Sequence, residues 1–166
     1  MVLARRNLDR GVALVEHYIQ RLGLRLNREK TRRVRMQMGE YVDFLGFRFL
    51  YTQNRKTGKR LILLYPSPKS QQRCRDRIRG YIHHAIPTSI RSQIRQVNRF
   101  LRGWVAYFGV GNAAATLYKL SRFVAKRVRH VLQRRRGKRG YGWRHITSDY
   151  LYGERGLFYN YKVRWL

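Results

Sequence analysis

Residues 24–31 read L-R-L-N-R-E-K-T, residues 43–47 read D-F-L-G-F and residues 66–70 read P-S-P-K-S. Up to residue 66, one amphipathic helical pattern is followed by runs rich in β-branched and aromatic residues; beyond it, apolar residues recur at helical spacing. The sequence therefore predicts an α+β fold, in which a small part made of one helix and antiparallel strands precedes a mainly α-helical bundle of three helices.

The first part is expected to begin with a helix over residues 7–22, capped by Asn7 and ended by Gly23 in a left-handed conformation. Residues 31–38 are predicted to pair as a strand with residues 41–52 through Gly39. A further strand over residues 61–65 follows a turn. The apolar face of the helix comprises Val12, Val15, Tyr18, Ile19 and Leu22.

The second part is predicted to start at Ser67, whose hydroxyl caps a helix that has Pro68 at its first position. Further helices are expected over residues 88–108 and 113–135, the last capped by Asn112. Each helix combines an apolar stripe with cations at intervals of three or four residues. The cations predicted to contact nucleic acid here are Lys69, Arg73, Arg77, Arg91, Arg95, Arg99, Arg102, Lys119, Arg122, Lys126 and Arg129.

The charge balance points to a polyanionic partner. The chain has 38 Lys and Arg against 8 Asp and Glu, and residues 67–166 alone contain 23 basic and 3 acidic residues. Unpaired cations at regular spacing are unfavourable unless phosphates lie between them. Arg in excess of Lys, interleaved with Tyr and Phe, favours nucleic acid over a membrane surface. Since no run of about 18 apolar residues occurs, no membrane span is predicted.

Other classes of site find little support in the sequence. Cys74 is the single cysteine, which excludes an internal disulfide and a multi-cysteine zinc site. The five histidines lack metal-ligand spacing, and no metal ligand is predicted. The N-terminus shows no signal peptide, so a cytoplasmic location is expected, although its Arg-bearing, acid-poor character is also compatible with organellar import.

The three motifs resemble the L-N-x-x-K-T, F-L-G-F and P-S-x-K-S motifs of reverse transcriptases encoded by group II introns, in the same order. Residues 102–108, R-G-W-V-A-Y-F, resemble the R-G-W-x-x-Y-F signature of the maturase domain in that family. The resemblance implies the C-terminal edge of a polymerase palm over residues 1–66, a basic thumb or maturase domain over 67–136, and a Gly- and aromatic-rich extension over 137–166.

The resemblance also assigns roles to individual residues. It places Lys30 near the incoming nucleotide or template, and Phe44, Leu45 and Gly46 in a primer-grip-like element. The family's catalytic Y-A-D-D motif is expected upstream of Met1, so no catalytic residue is predicted and Mg²⁺ is implied only for a complete polymerase. No cofactor is expected in this chain.

Within the R-G-W motif, a glycine in a helix is unfavourable by about 1 kcal/mol relative to alanine. Helix packing is the expected reason for Gly103 and Trp104, with a closely approaching nucleic-acid backbone as the alternative. Arg102 is the candidate for phosphate contact.

The leading hypothesis is an RNA-binding maturase-type fragment of a bacterial group II intron reverse transcriptase, which grips intron RNA or an RNA/DNA duplex. One alternative is half of a split RNA-directed DNA polymerase, active only with a partner that carries the catalytic aspartates. The other is a non-functional gene fragment, whose exposed edge strand would favour aggregation.

Overall fold

The computed structural model describes residues 8–25, 27 and 34–164, and the chain divides into two compact units, Met1–Arg35 and Met36–Leu166. The described part of the first unit contains the helix α1, Leu8–Arg21. Gly23 ends it at φ +70, and the amides of Gly23 and Leu24 donate to the carbonyls of Gln20 and Ile19. This is the predicted glycine C-cap. The expected start at Asn7 lies outside the described residues.

The second unit opens with an antiparallel sheet of three strands in the order β1 (Tyr41–Phe44), β2 (Phe47–Gln53) and β3 (Arg60–Pro66). The prediction of one strand over 41–52 is wrong, because a two-residue turn divides it. Residues 34–38 form no strand, since β2 is already paired with β1 on one side and β3 on the other. Residues 31–33 lie outside the described range.

The turn between β1 and β2 consists of Leu45 at φ +49 and Gly46 at φ +83. A two-residue hairpin turn of type I′ needs positive φ at both central positions. The backbone of this turn is held by the helices. The Gly46 carbonyl accepts hydrogen bonds from the Ser67 amide and the Ser70 hydroxyl, both at 2.8 Å, and the Leu45 carbonyl accepts one from the Tyr107 hydroxyl at 3.1 Å.

Three helices follow, α2 (Pro68–Tyr81), α3 (Ile90–Phe108) and α4 (Ala114–Arg135). The hydroxyls of Ser67 and Ser89 cap α2 and α3, and the first of these caps confirms the prediction. The predicted apolar stripes are buried against one another. The buried apolar residues of these helices are Cys74, Ile78, Ile94, Val97, Leu101, Trp104, Val105, Leu117, Leu120, Val124, Ala125, Val128, Val131 and Leu132.

Asn112 does not cap α4, which has Ala113 at that position and no side-chain cap. The Asn112 amide instead donates to the Leu64 carbonyl at 2.7 Å, and its side-chain oxygen accepts from the Leu64 amide at 3.1 Å. Asn112 thus satisfies the backbone amide and carbonyl of Leu64 on β3. The turn between α3 and α4 is thereby tied to the sheet.

Residues 143–164 return to the same core. Ile146, Leu151 and Leu157 are buried with the helical residues, and Leu151 belongs to a short π-helical segment, Tyr150–Glu154. Sheet and helices together confirm the predicted α+β class. The division of the chain at residues 66 and 136 stays a prediction.

We expect Gly46→Ala to destabilise the protein by more than Gly39→Ala. Both glycines have φ near +85, but a Cβ at Gly46 would lie 2.9 Å from the Ser70 hydroxyl oxygen and 3.1 Å from the Phe108 ring, whereas one at Gly39 meets nothing within 4 Å. The shared backbone strain is about 1 kcal/mol, and the steric conflict adds roughly 1–3 kcal/mol. Urea denaturation measures the difference. Equal losses would show that the turn does not depend on this contact.

Candidate nucleic-acid interface

Ten of the predicted cations lie exposed on the three helices of the bundle. Three are on α2, four on α3 and three on α4. Lys30 lies outside the described residues. The exposed cations are Lys69, Arg73, Arg77, Arg91, Arg95, Arg99, Arg102, Lys119, Arg122 and Lys126.

The α3 face illustrates how the sequence produces this surface. Arg91, Arg95 and Arg99 follow one another at intervals of four residues, so they lie on one side of the helix, about 6 Å apart along its axis. Buried residues such as Ile94 and Val97 occupy the opposite side. The helices α2, α3 and α4 contain a single carboxylate, Asp76, which pairs with Arg79 at 2.5 Å. The one carboxylate of the three helices is thus paired within α2, and α3 itself contains no carboxylate that could neutralise its cations.

Two of the exposed cations of α4 lie beside aromatic rings. The Arg122 guanidinium lies 5.7 Å from the centre of the Tyr118 ring and donates to its hydroxyl at 3.0 Å. The Lys126 ammonium lies 4.6 Å from the centre of the Tyr141 ring. The Tyr118 ring is exposed, so Arg122 beside it offers a phosphate contact and a stacking surface together, whereas the Tyr141 ring is half-buried.

Arg129 is a correction to the predicted set, because its side chain is 6% exposed rather than on the outer face. Its Nε donates to the Ile146 carbonyl at 2.7 Å, and its guanidinium lies 4.5 Å from the centre of the Trp143 ring. The cause is the returning segment around residues 143–146, which covers this side of α4. Burial lowers the pKa of Arg129 from its ordinary value. Arg129 thus holds the returning segment against α4.

Two further arginines of α4 bind the loop between α2 and α3. The Nε of Arg127 donates to the Ile82 carbonyl at 2.9 Å, and Arg135 donates to the carbonyls of Ile86 and Thr88, both at 2.7 Å. The helical pattern of α4 gave no sign of these bonds. The available signal was the scarcity of acidic partners, because a guanidinium without a carboxylate readily donates to carbonyls.

The primer-grip-like residues divide into two kinds. Gly46 has a structural function in the turn, whereas the side chains of Phe44 and Leu45 are exposed, Leu45 at 67%. The contact of these residues with a primer stays a prediction.

The two carboxylates closest in sequence to the primer-grip-like residues, Glu40 and Asp43, do not fit a two-metal site. Asp43 accepts two hydrogen bonds from Arg48, at 2.8 and 2.9 Å, and this contact lowers the pKa of the carboxyl. Glu40 accepts one from the Gln37 amide at 2.6 Å. Among the described residues, no group of three or more His, Cys, Asp or Glu could hold a metal ion.

The expectation about Gly103 is wrong, and that about Trp104 is confirmed. Trp104 is buried in the core. A Cβ at Gly103 would meet nothing within 4 Å, so no packed neighbour in the described structure requires a glycine there. Gly103 and the adjacent Arg102 both lie on the exposed face of α3.

We expect Arg129→Ala to destabilise the protein by about 1–3 kcal/mol, because the Ile146 carbonyl loses its side-chain donor inside the core. Arg99→Ala removes the same side chain from an exposed position and should change the free energy of unfolding by less than about 0.5 kcal/mol. Thermal or urea unfolding of both variants provides the comparison. A destabilisation of similar size at Arg99 would contradict the distinction between structural and exposed arginines.

Comparison with known protein families identifies the domain that contains these helices. No helix in the described ranges is both long and apolar enough to cross a membrane. No curated protein matches the chain. The model of the group II intron maturase-specific domain matches residues 71–151, from the first turns of α2 through α3 and α4 into the π-helical segment. The resemblance of residues 102–108 to the maturase signature is thereby confirmed, whereas the three motifs before residue 71 lie outside the matched range and stay a prediction. The chain carries a group II intron maturase-specific domain at residues 71–151.

Proposed function

We propose that the chain binds group II intron RNA through the phosphates of its backbone and so supports the folding or splicing of that RNA. The observation that carries the proposal is the set of ten exposed cations on α2, α3 and α4, helices that contain a single carboxylate. The maturase-specific domain gives the chain a maturase-related role in group II introns. Intron RNA is therefore the polyanion proposed for this surface.

Phosphate contact accounts for the arrangement of the charges. Like charges at intervals of four residues on a helix repel one another, and the repulsion is relieved when phosphates lie between them. Binding then releases counterions from the RNA, which provides a sequence-independent gain in free energy. Structured RNA presents its phosphates and 2′-hydroxyls along a wide, shallow minor groove, so its shape is accessible to a basic helical surface.

We propose an RNA/DNA duplex as a second ligand of the same chemistry, since the sequence motifs resemble those of reverse transcriptases. A partner polypeptide is the second candidate interaction. The outer edge of β1 pairs with no strand of the described part of the chain, and this edge could receive a strand from a polypeptide that carries the catalytic aspartates. Primer extension with both polypeptides, compared with either alone, would test that candidate.

We expect the affinity for a structured intron RNA to fall steeply as salt increases. In the variant with Arg91, Arg95 and Arg99 replaced by Gln, the slope of log K against log salt should be shallower by about two to three units, since three phosphate contacts are lost. The matched control replaces Arg55, Lys56 and Lys59 in the β2–β3 turn by Gln, with the same change in charge. Fluorescence anisotropy at several salt concentrations provides the slopes.

Salt-insensitive binding, or the absence of binding, would overturn the proposed function. An equal change of slope in the control variant would show that net charge, rather than the α3 face, determines the affinity.

A further inference from the structure

Segment 156–164 is held against α3 at both of its ends. At one end the buried Asn98 side chain donates to the Gly156 carbonyl at 2.7 Å and accepts from the Phe158 amide at 2.9 Å. At the other end the Arg164 amide donates to the Gly109 carbonyl at 2.7 Å, and the Arg164 guanidinium donates to the Ala106 carbonyl. The backbone between these points is thereby fixed.

An open groove lies on each side of this segment. One, of about 690 Å³, runs between the segment and α4 and is lined there by Tyr118 and Ser121. The other, of about 670 Å³, runs between the segment and α3 and is lined there by Arg102. Tyr159 and Lys162 belong to both grooves, so the segment forms a ridge between them.

Tyr159 is the exposed aromatic residue of this ridge. Its side chain is 76% exposed, whereas its neighbours Phe158 and Tyr161 pack edge to face, with ring centres 5.0 Å apart. An exposed ring on a fixed backbone can stack on a ligand with little loss of conformational freedom. The exposed Tyr159 ring is therefore available to bind a ligand, because the packing of the segment involves Phe158 and Tyr161 instead.

The charges around the ridge have one sign. Arg102 and Lys162 line the α3 groove, and Arg122 lies against Tyr118 of the α4 groove. Among the described residues that line the two grooves, there is no Asp or Glu. Each groove also has the volume of a typical small-ligand site, which is enough for a nucleotide.

We propose that Tyr159 is a stacking platform for an unpaired base of the bound RNA, and that Arg102 and Lys162 contact the phosphates beside that base. The inference rests on the proposed function and specifies the part of the RNA that is bound. Paired bases are covered by their neighbours in a helix, whereas a bulged or looped base exposes its face to an aromatic side chain. A bulge in structured RNA is therefore the occupant.

The experiment compares two RNA hairpins of equal length, one fully paired and one with a single bulged 2-aminopurine, binding to the full chain. Tyr159→Ala should weaken binding of the bulged hairpin by roughly five- to a hundredfold and leave that of the paired hairpin unchanged. Tyr159→Phe keeps the ring and should bind like the parent protein. Tyr18→Ala, which removes another exposed tyrosine, is the matched control. Fluorescence of the 2-aminopurine should be quenched by the parent and Phe proteins and not by the Ala variant.

Normal binding of the bulged hairpin by Tyr159→Ala, or equal weakening for both hairpins with an unchanged melting temperature, would overturn the proposal. Steeply salt-dependent binding of the paired hairpin without any preference for the bulge would overturn it while the proposed phosphate binding stands. Failure to bind either hairpin would overturn the proposed function itself. Poly-glutamate is also added as a competitor of equal charge. If it displaces the bulged hairpin as effectively as unlabelled RNA does, the occupant is an acidic polypeptide and the proposal is overturned.

Discussion

The hydrogen bonds that the Gly46 carbonyl accepts from Ser67 and Ser70 are the constraint that joins the sheet of the second unit to the start of its helices. Ser67 also caps α2, so one residue begins the helix and holds the hairpin. A shift of the hairpin by one residue would move every β1 side chain to the other face of the sheet and would place a carbonyl with different geometry against α2. The turn in which Leu45 and Gly46 adopt positive φ is therefore also held by tertiary contact.

The arginines of the bundle fall into two populations. Arg127, Arg129 and Arg135 donate to backbone carbonyls and hold the α2–α3 loop and the returning segment on α4. Arg91, Arg95 and Arg99 point away from the core and have no acidic neighbour on the helices of the bundle. The arginines of the bundle thus have two kinds of environment, and burial and hydrogen-bond partners distinguish the carbonyl-bound arginines from the exposed ones. Composition establishes that the chain is basic, but it does not show which cations remain available to a ligand.

Local sequence signals predicted the helical part well and the contacts between distant segments poorly. The start of α2 followed from Ser67 and Pro68, and its core face from the helical spacing of residues such as Cys74 and Ile78. The hairpin was missed because a leucine at positive φ is uncommon and carries no turn signal of its own. The positions of Asn112 and Arg129 depend on partners 48 and 17 residues distant, which periodicity does not contain. The ridge at Tyr159 was missed for the same reason.

The bonds of Arg127 and Arg135 to loop carbonyls bear on how the molecule responds to ionic strength. Surface ion pairs weaken as salt screens them, but these guanidinium–carbonyl bonds involve no opposite charge that screening would remove. The net charge of +30 acts in the other direction, because salt reduces the mutual repulsion of the cations and favours the compact state. Concentrated salt should therefore weaken the attraction to a polyanion and at the same time stabilise the folded state of the protein. For the proposed nucleic-acid binding, salt concentrations that release the ligand should therefore leave the native structure of the chain intact.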